Sequence, residues 1–296
     1  MPQSPRPLWM EFPSLIWCFT ESNFLTFVLP NTMFGVFSSL AAPNLTDCGQ
    51  PPPITTLYTR WPLVLLFNWA SVIVFDLSNQ RHPESLQEDQ LNKPWRPIPM
   101  DRISPDITRR ILLATIPVVF LFNYSLGVAS ETAYIFNLTW LYNDLGGGNQ
   151  ITRDPIIAIG YGLYLLSSVR IAVGSGCCIS KRGYNWILMQ SGIVLTTMQV
   201  QDLKDQAGDR VRGRATIPLL VGDMLSRWFI AVFVQIWGVV CSYFWGLPLW
   251  AYIFPLAVGV WVGVRVLQGK DDAWAWKCWC IWQVTLYSLP LVSGCY

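Results

Sequence analysis

Residues 63–80 read LVLLFNWASVIVFDLSNQ, an apolar run that becomes acidic and polar at its end. Continuous apolar runs near the ~20 residues that a helix needs to cross a bilayer recur along the chain. Of the 296 residues, 52% are hydrophobic and only 13% are charged, whereas soluble domains carry about a quarter charged residues. The sequence therefore predicts an all-α integral membrane protein, because the strands of membrane β-barrels alternate polar and apolar residues instead.

Nine segments have the apolar length that we expect of transmembrane helices. The fourth is the most polar, since it contains Glu131, Asn137, Asn143 and Asp144. A polar span in a helix bundle is expected to line an internal cavity rather than to face lipid. The predicted spans are residues 24–42, 57–78, 106–127, 129–145, 154–174, 184–203, 224–245, 248–267 and 274–294.

The distribution of basic residues predicts an orientation. More than half of the lysines and arginines lie in or just after two connections, between the second and third spans and between the sixth and seventh. Both connections lie on the same side of the membrane, and basic loops mark the cytosolic side. We expect a multi-pass protein of the endoplasmic reticulum whose functional face points to the cytosol. Several prolines before residue 14 argue against a signal peptide and predict a short cytosolic or interfacial arm.

Composition bears on partners and on redox chemistry. The formal net charge is +2 and no basic tract is present, so we expect no nucleic-acid partner. Nothing in the sequence implies a protein partner. The eight cysteines match no zinc-binding spacing and imply no disulfide framework. Cys278 and Cys280 lie in an apolar, Trp-rich segment, where a free cysteine packs like a small hydrophobic side chain.

A first cluster of acidic and amide side chains begins where the second span ends. Asp76, Gln80, Glu84 and Glu88 recur every four residues, so a continuous helix would align them in one stripe. Pro83 is expected to interrupt that helix and to start a short one, because proline is favoured at a first helical position. Six side chains here carry the oxygen ligands that Mg²⁺ prefers, namely Asn68, Asp76, Asn79, Gln80, Glu84 and Glu88.

A second acidic cluster follows the sixth span. Asp202, Asp205 and Asp209 have the spacing i, i+3, i+7, which places them on one face of a helix. Three carboxylates on one face repel each other unless cations lie between them, so we expect them to bind Mg²⁺ as well. Gly208 is expected to let the helix end there. For both clusters, the alternative interpretation is a solvated acid–base patch at a cytosolic helix end.

Basic side chains stand beside both clusters. Carboxylates that hold Mg²⁺ next to lysines and arginines that hold phosphate are the groups that a diphosphate site requires. The expected diphosphate contacts are Lys93, Arg96, Lys204, Arg210 and Arg214. The expected catalytic residues are Asp76, Asp202, Asp205 and Lys204.

These motifs resemble those of the UbiA superfamily of intramembrane prenyltransferases. Asp202-x-x-Asp205-x-x-Gly208-Asp209 is similar to the family's second acidic motif, with Gln201 where lysine is usual. Residues 93–98, KPWRPI, resemble its basic strap before the third helix. The resemblance spans nearly the whole chain. It implies one UbiA-like transmembrane domain over residues 1–296, with nine helices around a central cavity and cytosolic cap loops at 79–104 and 204–222.

The first motif departs from the prenyltransferase pattern. It reads DLSNQ at 76–80, then PE at 83–84 and ED at 88–89, which is similar to the fungal UbiA-type terpene cyclases. That resemblance implies a Mg²⁺-dependent class I cyclase. Such an enzyme ionises a prenyl diphosphate, here farnesyl or geranylgeranyl diphosphate, and closes the carbocation to a sesqui- or diterpene hydrocarbon.

Two other functions use the same fold. A UbiA-type prenyltransferase would move the prenyl group onto an aromatic acceptor, and Arg60, Glu131 and Arg170 are the charged side chains that could hold the acceptor. A non-catalytic membrane protein is the third hypothesis, suggested by the glutamines at 80 and 201.

A cyclase additionally needs aromatic faces, which stabilise a nearby cation by about 0.5–2 kcal/mol each. The candidates near the cytosolic half are Trp69, Phe75, Tyr142, Trp186 and Trp228.

Overall fold

The computed structural model describes residues 8–293, with side chains from residue 12 onward. This range is helical and contains no strand, only an isolated bridge between Thr46 and Ile179. The all-α prediction is confirmed. The helices are α1 Leu8–Asn23, α2 Leu29–Leu40, α3 Ala42–Leu45, α4 Ile54–Gln80, α5 Pro83–Asn92, α6 Pro105–Ser125, α7 Ala129–Asn143, α8 Arg153–Val173, α9 Lys181–Thr197, α10 Val200–Arg212, α11 Ile217–Val221, α12 Asp223–Phe244, α13 Ile253–Gln268, α14 Asp272–Tyr287 and α15 Leu289–Val292.

Short irregular helices connect some of these elements. A π-helical turn, Phe24–Val28, joins α1 to α2. The 3₁₀ turns Gly147–Asn149 and Leu249–Tyr252 precede α8 and α13. The first seven residues of the predicted N-terminal arm lie outside the described residues. Its remaining part is helical, since α1 begins at Leu8 and continues through Pro13.

Among residues 8–293, five helices are long and apolar enough to cross a membrane. They are Ile54–Gln80, Pro105–Ser125, Arg153–Val173, Asp223–Phe244 and Leu249–Gln268. Each overlaps a predicted span, so the prediction of a multi-pass membrane protein is confirmed. The other four predicted spans overlap α2, α7, α9 and α14, which have 12, 15, 17 and 16 residues.

The sixth predicted span is interrupted. α9 ends at Thr197 and α10 begins at Val200, so the second acidic cluster lies on a separate helix rather than at the end of a span. The prediction that Gly208 ends the helix was wrong. α10 continues to Arg212 and ends at Gly213, whose φ of 74° favours glycine.

Two short helices, α5 and α10, pack against each other above one end of the bundle. Pro83 starts α5 directly after α4, as predicted. Asn92 joins the two helices, because its Nδ2 donates to the Asp205 carbonyl at 3.0 Å and its Oδ1 accepts from the Gly208 amide at 3.2 Å. Gly208 permits this contact, since a Cβ there would lie 2.4 Å from Asn92 Nδ2.

A disulfide bond corrects the prediction that the cysteines imply no pairing. Cys48 in the α3–α4 connection bonds to Cys177 in the α8–α9 connection, across 129 residues of sequence. Sequence spacing could not show this pair, because folding alone brings the two loops together. The bond lies at the far end of the bundle from α5 and α10, since α4 and α8 run between the two ends. Cys178, next in the chain, stays free and exposed.

Cys48→Ser should destabilise the protein. Closing a long loop of the unfolded chain stabilises a fold by about 2–4 kcal/mol, so Tm measured in detergent should fall by several degrees. Cys178→Ser is the matched control and should leave Tm unchanged. Equal Tm values for the wild type and both variants would contradict a stabilising role for the Cys48–Cys177 bond.

Candidate active site

An internal cavity of about 180 Å³ lies below α5 and α10, enclosed mainly by α4, α7, α8 and α10. Its end nearest α5 and α10 is lined by charged and amide side chains, namely Asn23, Asp76, Asn79, Glu88, Lys93, Arg96, Arg153, Gln201, Asp202, Asp205, Asp209 and Arg214. The rest of its wall is mostly apolar and aromatic. The cavity therefore has an ionic end and an apolar body, as an amphiphilic ligand requires.

Glu88 joins the two acidic clusters. Its carboxylate is 4% exposed and accepts from Arg212 Nη1 at 2.8 Å and from Arg214 Nη1 at 2.9 Å. Arg214 also donates to Asp209 at 3.2 Å. Glu88 of α5 thus forms one ion-pair network with Asp209 and Arg212 of α10 and with Arg214 just after that helix. The network holds both acidic clusters at the same cavity.

Two further arginines are held by bidentate ion pairs. Arg96 Nη1 lies 2.9 Å from each carboxylate oxygen of Asp89. Arg153 at the start of α8 donates to Asp202 at 2.6 and 2.9 Å. All four residues are at most 5% exposed. Burying an arginine without a partner carboxylate costs free energy. Each aspartate therefore keeps its arginine in place at the cavity wall.

Two cavity-lining carboxylates have unused oxygens. Asp76 Oδ1 accepts from Asn23 Nδ2 at 2.7 Å, but Asp76 Oδ2 is buried without a hydrogen-bond partner. Asp209 Oδ2 is also buried and unpartnered. Buried polar atoms are normally satisfied by protein, water or an ion. Two carboxylate oxygens, one from each cluster, are thus open to a cation in the cavity, although no three acidic, histidine or cysteine side chains among the described residues are placed to hold one metal ion.

Charges around α5 and α10 determine the protonation of this end. Burial raises the pKa of Asp209, against the opposing effect of Arg214. Burial would also raise the pKa of Glu88 and of Asp205, but neighbouring cations outweigh it and hold both pKa values below the usual range. Burial and Lys93 lower the pKa of Lys204. The cations thus keep Glu88 and Asp205 ionised.

The apolar body of the cavity carries a group of aromatic rings. Phe27 makes edge contacts with Tyr161 and Tyr164, at ring-centroid distances of 4.6 and 4.7 Å. Phe75 and Tyr142 contact each other at 5.4 Å. Trp276 also lines the cavity. Apart from the phenol oxygens, the hydroxyls of Thr26 and Thr139 and the sulfur of Met198, the groups that line this part of the cavity offer no nucleophile to a cation.

Five of the predicted site residues do not line the cavity. Asn68 donates to Val64 O at 2.9 Å and to Ser168 Oγ at 3.0 Å, deeper between α4 and α8. Gln80 turns away and donates to Phe19 O at 2.8 Å. Lys204 Nζ contacts Asp205 at 2.5 Å from outside the cavity lining. Glu84 and Arg210 are exposed. We therefore assign none of these five residues to the metal or diphosphate site.

Of the predicted aromatic and acceptor-binding residues, too, only some line the cavity. Phe75 and Tyr142 line the cavity, whereas Trp69, Trp186 and Trp228 do not. Glu131 and Arg170 pair with each other at 2.5 Å, and Arg60 donates to Ile171 O at 3.1 Å. These three charged residues lie towards the disulfide end of α4, α7 and α8 and are absent from the described cavity lining.

Sequence reasoning missed several site residues. Arg153 stands one residue before the fifth predicted span, and its basic charge before an apolar run was the available signal. Asn23, Tyr161 and Tyr164 carried no comparable signal. Their roles depend on how the helices pack, which a single sequence does not show. Arg212 was expected to supply charge for phosphate together with Arg210 and Arg214, but its side chain pairs with Glu88.

Arg212→Ala should loosen the link between α5 and α10. It leaves the buried Glu88 with one cation fewer and removes the donors to Ser85 and Asn149, which should cost about 3–5 kcal/mol. Tm in detergent should fall clearly. Arg210→Ala, on the exposed side of the same helix, is the control and should change Tm little. Equal effects of the two substitutions would refute the Glu88 link.

Known proteins resemble this chain in sequence and in fold. A sequence model of the UbiA prenyltransferase family matches residues 36–289. The chain is 29% identical over 237 residues to the fumagillin beta-trans-bergamotene synthase of Aspergillus fumigatus, covering 76% of this chain and 78% of that protein. It is 32% identical over 227 residues to the somaliensene A/B synthase of Streptomyces somaliensis, covering 76% and 71%.

A transferase and a solved structure are also similar. The polyprenyl transferase eriF of Hericium erinaceus is 27% identical over 229 residues, covering 77% of this chain and 75% of that protein. A solved digeranylgeranylglyceryl phosphate synthase has a TM-score of 0.61 at 14% identity, covering 95% of this chain and 99% of that chain, which shows a common fold. The chain therefore belongs to the UbiA prenyltransferase family, and its relatives include terpene synthases.

Proposed function

We propose that the protein is a Mg²⁺-dependent terpene cyclase that ionises farnesyl or geranylgeranyl diphosphate and closes the resulting carbocation to a hydrocarbon. The observation that carries this proposal is the pair of buried, unpartnered carboxylate oxygens on Asp76 and Asp209. They belong to different clusters and line one cavity, beside cationic side chains and above an aromatic body. The terpene synthases among the relatives support the same reaction class.

The proposed metal ligands are the cavity-lining oxygens of both clusters. They are Asp76, Asn79, Glu88, Asp202, Asp205 and Asp209. Mg²⁺ prefers a few carboxylate and amide oxygens together with water and substrate phosphate. When bound, it would neutralise the charge that develops on the departing diphosphate.

Cationic side chains would hold the diphosphate from the same end. Lys93, Arg96 and Arg214 line the cavity there, and their present carboxylate partners hold them in position. Fixed cations aimed at a leaving group stabilise the transition state without reorganising. The allylic C–O bond breaks, and its electron pair leaves with the diphosphate.

The apolar body would determine the fate of the carbocation. The isoprenoid chain would extend past Phe75 and Tyr142 towards Phe27, Tyr161 and Tyr164. Apolar walls would limit the access of water to the carbocation, and the aromatic faces would stabilise the moving positive charge. The cation then closes on a double bond of its own chain, and loss of a proton ends the reaction.

Prenyl transfer to an aromatic acceptor is the second candidate function. The polyprenyl transferase among the relatives favours it. Against it stands the cavity lining, which does not include Arg60, Glu131 or Arg170 among the described residues. A non-catalytic role is the third candidate, and the intact acidic residues of both clusters argue against it.

The membrane topology belongs to the same proposal. We propose nine spans, with α2, α7, α9 and α14 added to the five apolar helices, and cap segments at 79–104 and 204–222. Disulfides form in oxidising compartments, so the Cys48–Cys177 end would face the lumen of the endoplasmic reticulum. α8, with 21 residues or roughly 30 Å of helix, separates that end from the acidic clusters. The site would then face the cytosol.

Incubation without an acceptor distinguishes the candidate functions. Membranes carrying the protein would receive Mg²⁺ and either geranyl, farnesyl or geranylgeranyl diphosphate, and a hexane extract would be examined by gas chromatography–mass spectrometry. A cyclic hydrocarbon from farnesyl or geranylgeranyl diphosphate is the expected product. Consumption of diphosphate only after an aromatic acceptor is added would establish the transferase instead, and no consumption in either case would favour the non-catalytic role.

Substitution of the proposed ligands should abolish turnover. Asp76→Ala and Asp205→Ala each remove a buried carboxylate at the ionic end of the cavity, so product formation should fall by at least about a hundredfold. Glu84→Ala, an exposed acid on α5, is the control and should keep full activity. Full activity of either aspartate variant would rule out the assignment.

Chelation tests the metal directly. EDTA should stop turnover in the wild type, and added Mg²⁺ should restore it, because the orphaned oxygens of Asp76 and Asp209 would lose their cation. Turnover that continues in EDTA would rule out a metal-dependent ionisation.

A further inference from the structure

A second concave feature lies on the outer side of the cavity wall. It is a groove of about 300 Å³ between α4, α6 and α7. Its body is lined mainly by apolar side chains, namely Val74, Leu112, Leu113, Ile116, Phe136 and Trp140. Leu113 and Trp140 are exposed, on the side that would face lipid in a membrane. The groove thus has room for one apolar chain lying along α6.

The end of the groove near α5 is positively charged. Arg81 and Arg109 line it together with Asp144, and Arg81 is already paired with Asp144. Arg109 is exposed and makes no ion pair or side-chain hydrogen bond with the described residues 8–293. One arginine therefore remains available to an anion at this end. From Arg109 to Ile116 the groove extends roughly 10 Å along α6.

The groove and the cavity are separated only by the contact between α4 and α7. Thr139 of α7 lines both of them. The contact is made by the hydrogen bond from Asn79 Nδ2 to Asn143 Oδ1 at 2.8 Å and by the Phe75–Tyr142 ring pair. A ligand in the groove would lie parallel to a ligand in the cavity, with its charged end at the same end of the bundle.

We propose that this groove is a second binding site for the prenyl diphosphate, occupied from the bilayer before the substrate reaches the cavity. The identity of the ligand rests on the proposed function. The charge pattern supports it, because an anionic head would meet Arg109 and a single isoprenoid chain would fill the apolar body. The diphosphate group is membrane-impermeant and its chain is lipid-soluble, so such a substrate lies at the interface where Arg109 stands.

Photolabelling tests the groove without requiring turnover. A farnesyl diphosphate analogue carrying a benzophenone at the far end of its chain would be irradiated with the protein in phosphatidylcholine nanodiscs, and labelled peptides would be mapped by mass spectrometry. Label is expected on α6 and α7 near Ile116 and Phe136. Label confined to cavity-lining peptides would overturn the proposal.

Matched variants locate the contacts. Arg109→Gln should lower groove labelling about tenfold, the change expected when one charge-assisted hydrogen bond is lost, and Leu113→Trp should lower it by filling the groove. Arg110→Gln and Leu121→Trp change exposed residues of the same helix outside the groove lining and should label like the wild type. Equal labelling of Arg109→Gln and Arg110→Gln would overturn the proposal.

Competition identifies the ligand class. Excess unlabelled farnesyl diphosphate should displace the label, whereas phosphatidic acid, which has two acyl chains, should not. Displacement by phosphatidic acid to the same extent would make the groove a general anionic-lipid site and overturn the proposal. Groove labelling by a protein that turns over no prenyl diphosphate would instead refute the proposed function and leave the groove site standing.

Discussion

The interaction on which the site depends is the buried contact of Glu88 with Arg212 and Arg214. Glu88 comes from the chain after α4, and the two arginines come from the end of α10, more than a hundred residues later. A buried carboxylate is tolerated only with cationic partners, so this contact requires α5 and α10 to meet. Once they meet, Asp76 and Asp209 must line one cavity. Without the contact of Glu88 with Arg212 and Arg214, each cluster would be an ordinary acidic helix end.

Much of the site was visible in the sequence because charge next to a bilayer is costly. Asp76 at the end of an apolar run and the spacing of the α10 aspartates both indicated bound cations. Half of the first cluster and all three aspartates of the second line the cavity. The break at Pro83 was predictable from proline chemistry alone. The long apolar helices were equally predictable, since bilayer thickness fixes their length.

The rest depended on which side of a helix faces inward and on contacts between distant segments. Glu84 and Glu88 lie on the same face of α5, yet only Glu88 is buried, because it stands one turn further along the helix, beside Arg212 and Arg214. The pairing of Arg153 with Asp202, the disulfide between Cys48 and Cys177 and the ring contacts of Phe27 join elements far apart in sequence. No periodicity encodes such pairs. The end of α10 was misplaced for a related reason, since Gly208 serves a close approach to Asn92 rather than a turn.

The central claim is that the two clusters form one diphosphate site. The most direct measurement is an experimental structure with Mg²⁺ and an unreactive thiolodiphosphate analogue of the substrate. Metal density is expected at Asp76 Oδ2 and Asp209 Oδ2, with the diphosphate between α4 and α10 and the chain pointing towards Phe27 and Tyr161. A diphosphate bound elsewhere, or metal bound by only one of the clusters, would contradict it.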